Sequence, residues 1–350
     1  MRLEINTLKS VNRPFSIHGI YPYRGKISSV EASMIISQLP KGSSLLDPFC
    51  GSGTILFEGL LNNLEVYGID NNPLAYIIAS GKMDSLKTNK EKVLAETETI
   101  ISKAKKDIPE LMCDEARKHF HKKTAQEIIS LVPYFPEMSQ YLKVAFVGAI
   151  ALSARACNHY KWTSSTVGKD INPKREIDFY EKFLEKVNKH HPDGEINNGK
   201  SKVILGDSRE ISKFISEKSI DFVFTSPPYF DCLDYTSYYG KIVLNILGYN
   251  RIKIKKELIQ NTKTYKEDMK KVLNEIDRVT KDNAIIIFVV GDKKIGQKII
   301  KGSEIFSEMF EHKPNKIIER EYTNSSSQVF DKLNKTKRKE QIIIWDKKTW

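Results

Sequence analysis

A chain of 350 residues has room for one large α/β domain with an insertion, or for two modest domains. Lys and Arg number 56 against 44 Asp and Glu, a formal charge of +12; the excess favours an anionic partner such as nucleic acid through counterion release, although a lysine-rich solvated surface carries the same signature. Cys50, Cys113, Cys157 and Cys232 form no C-x-x-C pair, which argues against a disulfide framework and a zinc site and fits a reducing cytoplasm, and the longest apolar stretch, Val144 to Leu152, falls short of the roughly 20 residues that span a bilayer, so no membrane association is expected.

The first strand is predicted over Ser43 to Asp47, an apolar run ending in the loop DPFCGSGT, after which ILFEGLLNN has helical periodicity. Glu65 to Asp70 (EVYGID) reads as a second strand, and Pro73 suits the first position of the helix that follows the NNP turn. The resulting βαβα unit implies a parallel sheet covered by helices. From about Lys87 to Lys200 strand signals vanish, with helices predicted over Val93 to Lys105, Ala116 to Leu131, Leu142 to Cys157 and Ile177 to Val187. Strands resume at Lys202 to Asp207, Ile220 to Thr225, Ala284 to Val290 and Gln341 to Asp346, with a helix over Tyr265 to Thr280. The expected division is therefore 1–86, a helical insertion over 87–200, and 201–350 completing the sheet.

Two loops have the composition of a site. In Asp47-Pro48-Phe49-Cys50-Gly51-Ser52-Gly53-Thr54, two glycines let backbone approach a ligand, and the next helix offers free N–H groups to an anionic end; the alternative is a plain strand-to-helix turn. Leu56 stands where a dinucleotide fingerprint needs its third glycine, and no Gly-Lys-Ser/Thr follows to make a P-loop. Asp70 ends the second strand, where a carboxylate accepts from both ribose hydroxyls, and Asn71 follows it; capping the next helix is the competing reading. Asp207 and Ser208 follow the third strand, placed to meet the exocyclic amine of an adenine, while Asp207 as a cap reads nearly as well. The second loop, Thr225-Ser226-Pro227-Pro228-Tyr229, follows the fourth strand. Its prolines fix φ, so the Ser226 hydroxyl and Pro227 carbonyl can be held as paired acceptors for an exocyclic amine, and Tyr229 can stack on the base; a Pro-rich turn with a packed tyrosine is the bland alternative. His119, His121 and the pair His190-His191 lack ligand spacing, and no metal is expected.

These segments resemble the amino-methyltransferase family of bacterial DNA modification enzymes. DPFCGSGT is similar to the family's cofactor motif, YGIDNNP to its ribose motif and TSPPY to its catalytic motif, while HGIYPYRGKISS (His18 to Ser29) resembles the segment that closes over the methionine part of the cofactor. The resemblance implies a Rossmann-like S-adenosylmethionine-dependent methyltransferase fold with a mainly parallel sheet, helices on both faces and a helical insertion. It implies S-adenosyl-L-methionine held by Tyr23, Arg24, Lys26, Asp47, Phe49, Gly51, Gly53, Thr54, Asp70, Asn71, Asp207 and Ser208, with catalysis at Ser226, Pro227, Pro228 and Tyr229.

The implied substrate is double-stranded DNA with a flipped base. Ser before Pro-Pro-Tyr is associated mainly with cytosine N4 and Asp in that place with adenine N6, and a cognate restriction endonuclease accompanies many such enzymes. Two departures stand out: no clear target-recognition region exists outside the helical block 87–200, and that block puts about 110 residues between the second and third strands. RNA methylation at guanine N2 is an alternative, because such enzymes carry similar loops; they usually add an N-terminal RNA-binding domain, and about 42 residues precede the first strand here. A non-catalytic DNA-binding subunit is a third reading. Basic clusters at Arg251, Lys253, Lys255 and Lys256 and at Lys335, Lys337, Arg338 and Lys339, and the stretch from Arg155 to Arg175, are candidates for phosphate contact.

Overall fold

The computed structural model describes residues 15–23, 27–110, 113–157, 173, 175–192, 199–228, 234–237, 239–295, 298–310, 312–321 and 339–350. In chain order the elements are α1 (Ser29–Ile36), β1 (Ser44–Asp47), α2 (Thr54–Leu61), β2 (Glu65–Asp70), α3 (Pro73–Ser85), α4 (Lys90–Ala104), α5 (Asp114–His119), α6 (Lys122–Leu131), α7 (Gln140–Cys157) and α8 (Phe179–His190). They continue with β3 (Ser201–Leu205), β4 (Ile220–Thr225), α9 (Tyr239–Ile246), α10 (Arg251–Glu257), α11 (Tyr265–Val279), β5 (Thr280–Gly291), β6 (Lys293–Ile295), β7 (Lys298–Ile300), α12 (Gly302–Met309), β8 (Lys316–Glu321) and β9 (Lys339–Asp346).

Seven strands form one sheet in the order β3-β2-β1-β4-β5-β9-β8. The first five are mutually parallel, and β9 runs antiparallel between β5 and β8. This is a Rossmann-like sheet with its topological switch between β1 and β4, where the winding direction reverses and open α/β sheets leave a crevice. Parallel register pairs Asp47 with Gly68, Asp70 with Leu205 and Leu46 with Val223. The carboxyl ends of β1, β2, β3 and β4 therefore open on a common rim.

Alternation along the strands decides which helices cover which face. Leu45, Val66, Phe222, Phe224 and Ile287 share one apolar cluster with residues of α1, α2, α3, α7 and α8. Their neighbours Leu46, Ile69, Val223, Ile286 and Phe288 join the opposite cluster with residues of α11 and α12. The two faces are thus both covered, as parallel strands require. Within 87–200 the regular elements among the described residues are all helices, and α7 packs along α3 with Val144, Ala145 and Val147 in the same cluster as Leu45. That block extends the core of one sheet face.

Local chemistry sets several of these boundaries. Asn72 caps α3 by accepting from the Leu74 N–H, with Pro73 at the first helical position. Asp178 caps α8 through the Glu181 N–H. The single helix expected over 116–131 is broken at Phe120, which is extended (φ −130°, ψ 151°) and buried; anchoring its ring turns the chain without any Gly or Pro to announce it. β8 is an addition that the sequence reading lacked: KIIERE forms the sheet edge, where charged residues discourage further pairing. Among the described residues no helix is long and apolar enough to cross a membrane.

Candidate active site

The crevice at the switch point is an open cleft of about 810 Å³, counting the solvent-open space at its mouth. The β1 loop contributes Asp47, Phe49, Gly51 and Thr54, and the ends of β2 and β3 contribute Asp70, Asn71, Asp207 and Ser208. Ser226 and Pro228 enter from the end of β4, and Tyr23 from the N-terminal segment. Gly51 and Pro228, 177 positions apart in the chain, therefore line one cavity. Gly53 and Pro227 are not in the lining: Gly53 lies beneath the loop against Ala79, and Pro227 is buried. Tyr229, Arg24 and Lys26 lie outside the described residues, as do Lys335, Lys337 and Arg338 and most of the stretch from Arg155 to Arg175.

The β1 loop is shaped by two left-handed glycines, Gly51 (φ 47°) and Gly53 (φ 66°), which L side chains rarely adopt. At Gly53 any side chain also collides with the Ala79 backbone, since its Cβ would lie 2.8 Å from Ala79 Cα. At Gly51 the neighbour is the Tyr23 ring at 3.2 Å. The loop is then tied to β2, because the Gly51 N–H donates to Asp70 Oδ2 at 3.0 Å while the Asn72 N–H donates to Oδ1 at 2.9 Å. A carboxylate accepts about four bonds, so Asp70 keeps lone pairs for a ligand.

Asp47 joins the two loops. It is 2% exposed, accepts from Thr225 Oγ1 at 2.6 Å and from the Phe49 N–H at 3.1 Å. Thr225 directly precedes Ser226, so this bond fixes the start of the second loop relative to the first. Burial pushes the Asp47 carboxyl up to about 7 against the pull of the Thr225 and Phe49 bonds, with Asp70 adding to the rise. Burial likewise lifts Asp70 to about 6, and the Asn72 and Gly51 N–H groups restrain it. Two carboxyls reluctant to ionise beside one cleft favour a ligand that brings positive charge. The Cys50 thiol is held well above its usual range by burial and by both acids, which removes it as a nucleophile.

Several site residues escaped sequence reading. Tyr265, at the start of α11 and 1% exposed, donates its hydroxyl to the Pro228 carbonyl at 2.6 Å and pins the exit of the second loop. Arg209 forks onto Asp207 (Nε 3.0 Å, Nη2 2.6 Å), reaches Asp268 at 2.9 Å and donates to the Glu257 carbonyl at 3.2 Å. Asn71 Nδ2 donates to that same carbonyl at 2.9 Å. Leu258 and Ile259, which follow it, form an apolar wall of the cleft. Asp207 therefore has part of its acceptor capacity occupied by Arg209, and the Ser208 hydroxyl donates to the Pro48 carbonyl. Tyr235 faces Tyr23 with rings 6.3 Å apart and 20° from parallel at the cleft. Apart from Asp207 and Arg209, whose Asp-x-Arg spacing is a local signal, none of these partners is near in sequence.

The N-terminal segment that carries Tyr23 is anchored on both sides. His18 Nε2 and Glu58 Oε1 of α2 lie 2.8 Å apart, and His190 Nδ1 of α8 is 2.6 Å from the Ser16 carbonyl. Of the first basic cluster, Arg251 and Lys255 pair with Asp234 at 3.6 and 2.7 Å, while Lys253 and Lys256 are exposed. His119 is buried against Glu115 at 2.8 Å. Among the described residues, no group of three or more His, Cys, Asp and Glu is placed to hold a metal.

Comparison with known proteins divides along the same line as the cleft. Residues 29–134 match the family described as RMKL-like, methyltransferase domain, and residues 220–350 match the N6/N4 family described as DNA methylase. The Type II methyltransferase M.MvaI of Kocuria varians is 47% identical over 51 residues, 15% of this chain and 11% of that protein. The Type II methyltransferase M.MjaII of Methanocaldococcus jannaschii is 30% identical over 122 residues, 34% of this chain and 22% of that protein. The matched segments thus span less than a quarter of either relative. Among solved structures, the rRNA methyltransferase aviRa of Streptomyces viridochromogenes is 13% identical with a TM-score of 0.39, over 95% of this chain and 94% of that one. TrmN of Thermus thermophilus is 10% identical with a TM-score of 0.37, over 96% and 54%.

Proposed function

We propose that the chain is a DNA amino-methyltransferase that transfers a methyl group from S-adenosyl-L-methionine to the exocyclic amine of a base flipped out of double-stranded DNA, with cytosine N4 the preferred target. The observation that carries this reading is the Thr225–Asp47 hydrogen bond, which sets Ser226 and the Gly51 loop on one cleft. The cleft suits such a donor: Asp70 has lone pairs for a ribose diol, Leu258 and Ile259 offer an apolar wall to an adenine, and the raised carboxyls of Asp47 and Asp70 favour a cationic ligand. When bound, S-adenosyl-L-methionine supplies an electrophilic methyl group on a sulfonium.

The residues of the chain supply orientation. Ser226, held by the Asp47–Thr225 link on one side, and the Pro227 carbonyl accept the two N–H bonds of the amine and draw its lone pair out of conjugation toward the methyl carbon. Tyr265 fixes the Pro228 carbonyl so that the loop keeps its course under load. Tyr229 stacks on the flipped base and offsets part of the stacking lost from the duplex. No covalent enzyme adduct is required, in keeping with the raised Cys50 thiol.

In this reading 1–86 binds the donor, 201–350 carries catalysis and 87–200 reads the target. Ser before Pro-Pro-Tyr supports cytosine N4 over adenine N6, and the Type II naming of the two relatives supports a place in restriction-modification, with a cognate endonuclease as partner in a reducing cytoplasm. The test is to incubate the purified protein with methyl-labelled donor and either duplex DNA or total RNA, then identify the modified nucleoside by mass spectrometry. N4-methylcytosine in DNA is expected. N6-methyladenine would replace the base and leave the mechanism standing, whereas label confined to guanine N2 of RNA would overturn the DNA assignment.

A further inference from the structure

Asn72 carries chemistry that its place in the fold does not use. Its backbone N–H donates to Asp70 Oδ1 at 2.9 Å, its carbonyl accepts from the Tyr76 N–H at 3.0 Å, and its Oδ1 caps α3 by accepting from the Leu74 N–H at 3.1 Å. What remains is the amide nitrogen with two hydrogens. The residue is 1% exposed, that nitrogen has no hydrogen-bond partner, and the residue lines the cleft. The amide cannot be turned over, because an NH₂ facing the Leu74 N–H would set donor against donor. Nor does capping explain the choice of Asn, since Asp and Ser cap about as well and leave no NH₂ behind. Buried donors in folded proteins are nearly always paired, so the missing partner is expected from outside the chain.

We propose that the Asn72 amide is a ligand-binding group, donating to an in-plane lone pair of a heterocyclic base in the cleft, a ring nitrogen or a carbonyl oxygen. The inference rests on the methyl-transfer reading, in which two such bases enter the cleft: the adenine of the donor and the flipped target base. Asn71 and Asn72 then divide the work after β2. Asn71 fastens the Leu258–Ile259 wall through the Glu257 carbonyl, and Asn72 reads an acceptor inside.

The test uses Asn72→Ser, and Asn72→Asp at pH 8, where the Asp carboxyl is ionised and has no donor; both keep a capping oxygen, and the melting temperature of each is recorded beside that of the wild type. S-adenosylhomocysteine affinity is measured by calorimetry, and methylation of duplex DNA at saturating donor by label transfer. If the acceptor is on the adenosyl group, the Kd for S-adenosylhomocysteine rises about tenfold in both variants, the size of one lost hydrogen bond. If it is on the target base, that Kd is unchanged and kcat/KM for DNA falls about tenfold. Both variants within twofold of wild type in both measurements would overturn the assignment, as would a large fall in Tm with unchanged affinity and turnover. A wild-type protein that binds no S-adenosylhomocysteine and methylates no nucleic acid overturns the methyl-transfer reading together with this one; an active wild type with unaltered variants overturns this one alone.

Discussion

Two carboxyls, Asp47 buried and Asp70 half-buried, set the character of the site, and each makes a distinct prediction. Asp47 near 7 and Asp70 near 6 hold their protons far above the value of about 3.9 for an aspartate in an unfolded chain. Between about pH 4 and pH 7 the folded protein therefore binds more protons than the unfolded chain, so their contribution to stability is full below about pH 4 and is lost as pH rises through that window. Urea melts of the ligand-free protein across pH 4 to 7 should show a flatter decline for Asp47→Asn than for the wild type. Affinity should move the opposite way: an ionised Asp70 accepts ribose hydroxyls best, so calorimetry should find S-adenosylhomocysteine binding tightening from pH 5 to pH 7, a trend that Asp70→Asn abolishes. Thr225→Val leaves Asp47 buried with one acceptor bond fewer. Chemical denaturation should register a loss of about 1–3 kcal/mol, with turnover falling because the two loops are no longer bound to each other.

The loops respond to substitution according to what lies against them. Gly53→Ala forces a Cβ to 2.8 Å from the Ala79 backbone at φ 66°, and calorimetric melting should show a loss on the order of 1–3 kcal/mol. Gly51→Ala meets only the Tyr23 ring at 3.2 Å, so its cost should appear less in stability than in cofactor affinity. On the other side of the cleft, Tyr265→Phe releases the Pro228 carbonyl while touching nothing on the donor side. Steady-state assays should find kcat reduced severalfold with the Kd for S-adenosylhomocysteine unchanged. Equal losses in both would mean that Tyr265 supports the whole cleft, not the second loop alone. Arg209 bridges Asp207 after β3, Asp268 of α11 and the Glu257 carbonyl; only Asp207 is close in sequence, and the other two partners are 48 and 59 positions away.

At the scale of the whole molecule, a charge of +12 predicts that the proposed DNA binding weakens linearly in log salt, with a slope of about −0.9 per phosphate neutralised. Fluorescence anisotropy with a duplex between 50 and 200 mM salt should show more than a tenfold fall in affinity, and Lys253→Ala with Lys256→Ala should reduce the slope if those exposed lysines touch phosphate. The amino-acid sequence by itself determined the parts governed by local geometry. A loop needing left-handed backbone at Gly51 and Gly53 announces itself by its glycines, Pro227 and Pro228 declare a fixed φ, and near-continuous apolar runs such as IDFVFT mark strands buried on both faces. It was silent where a short segment is ambiguous or a partner is remote. KIIERE became the edge strand β8 only because β9 lay free to pair, and Phe120 broke a helix because its ring found a pocket. The tertiary structure alone decided that β4 pairs beside β1, that Asp47 meets Thr225 across 178 positions, and that the amide nitrogen of Asn72, a residue of the cleft lining, is left without a partner. Side-chain periodicity reports what a segment does with its own backbone, whereas adjacency of distant strands is settled by which apolar faces are buried together, a property of the assembled sheet.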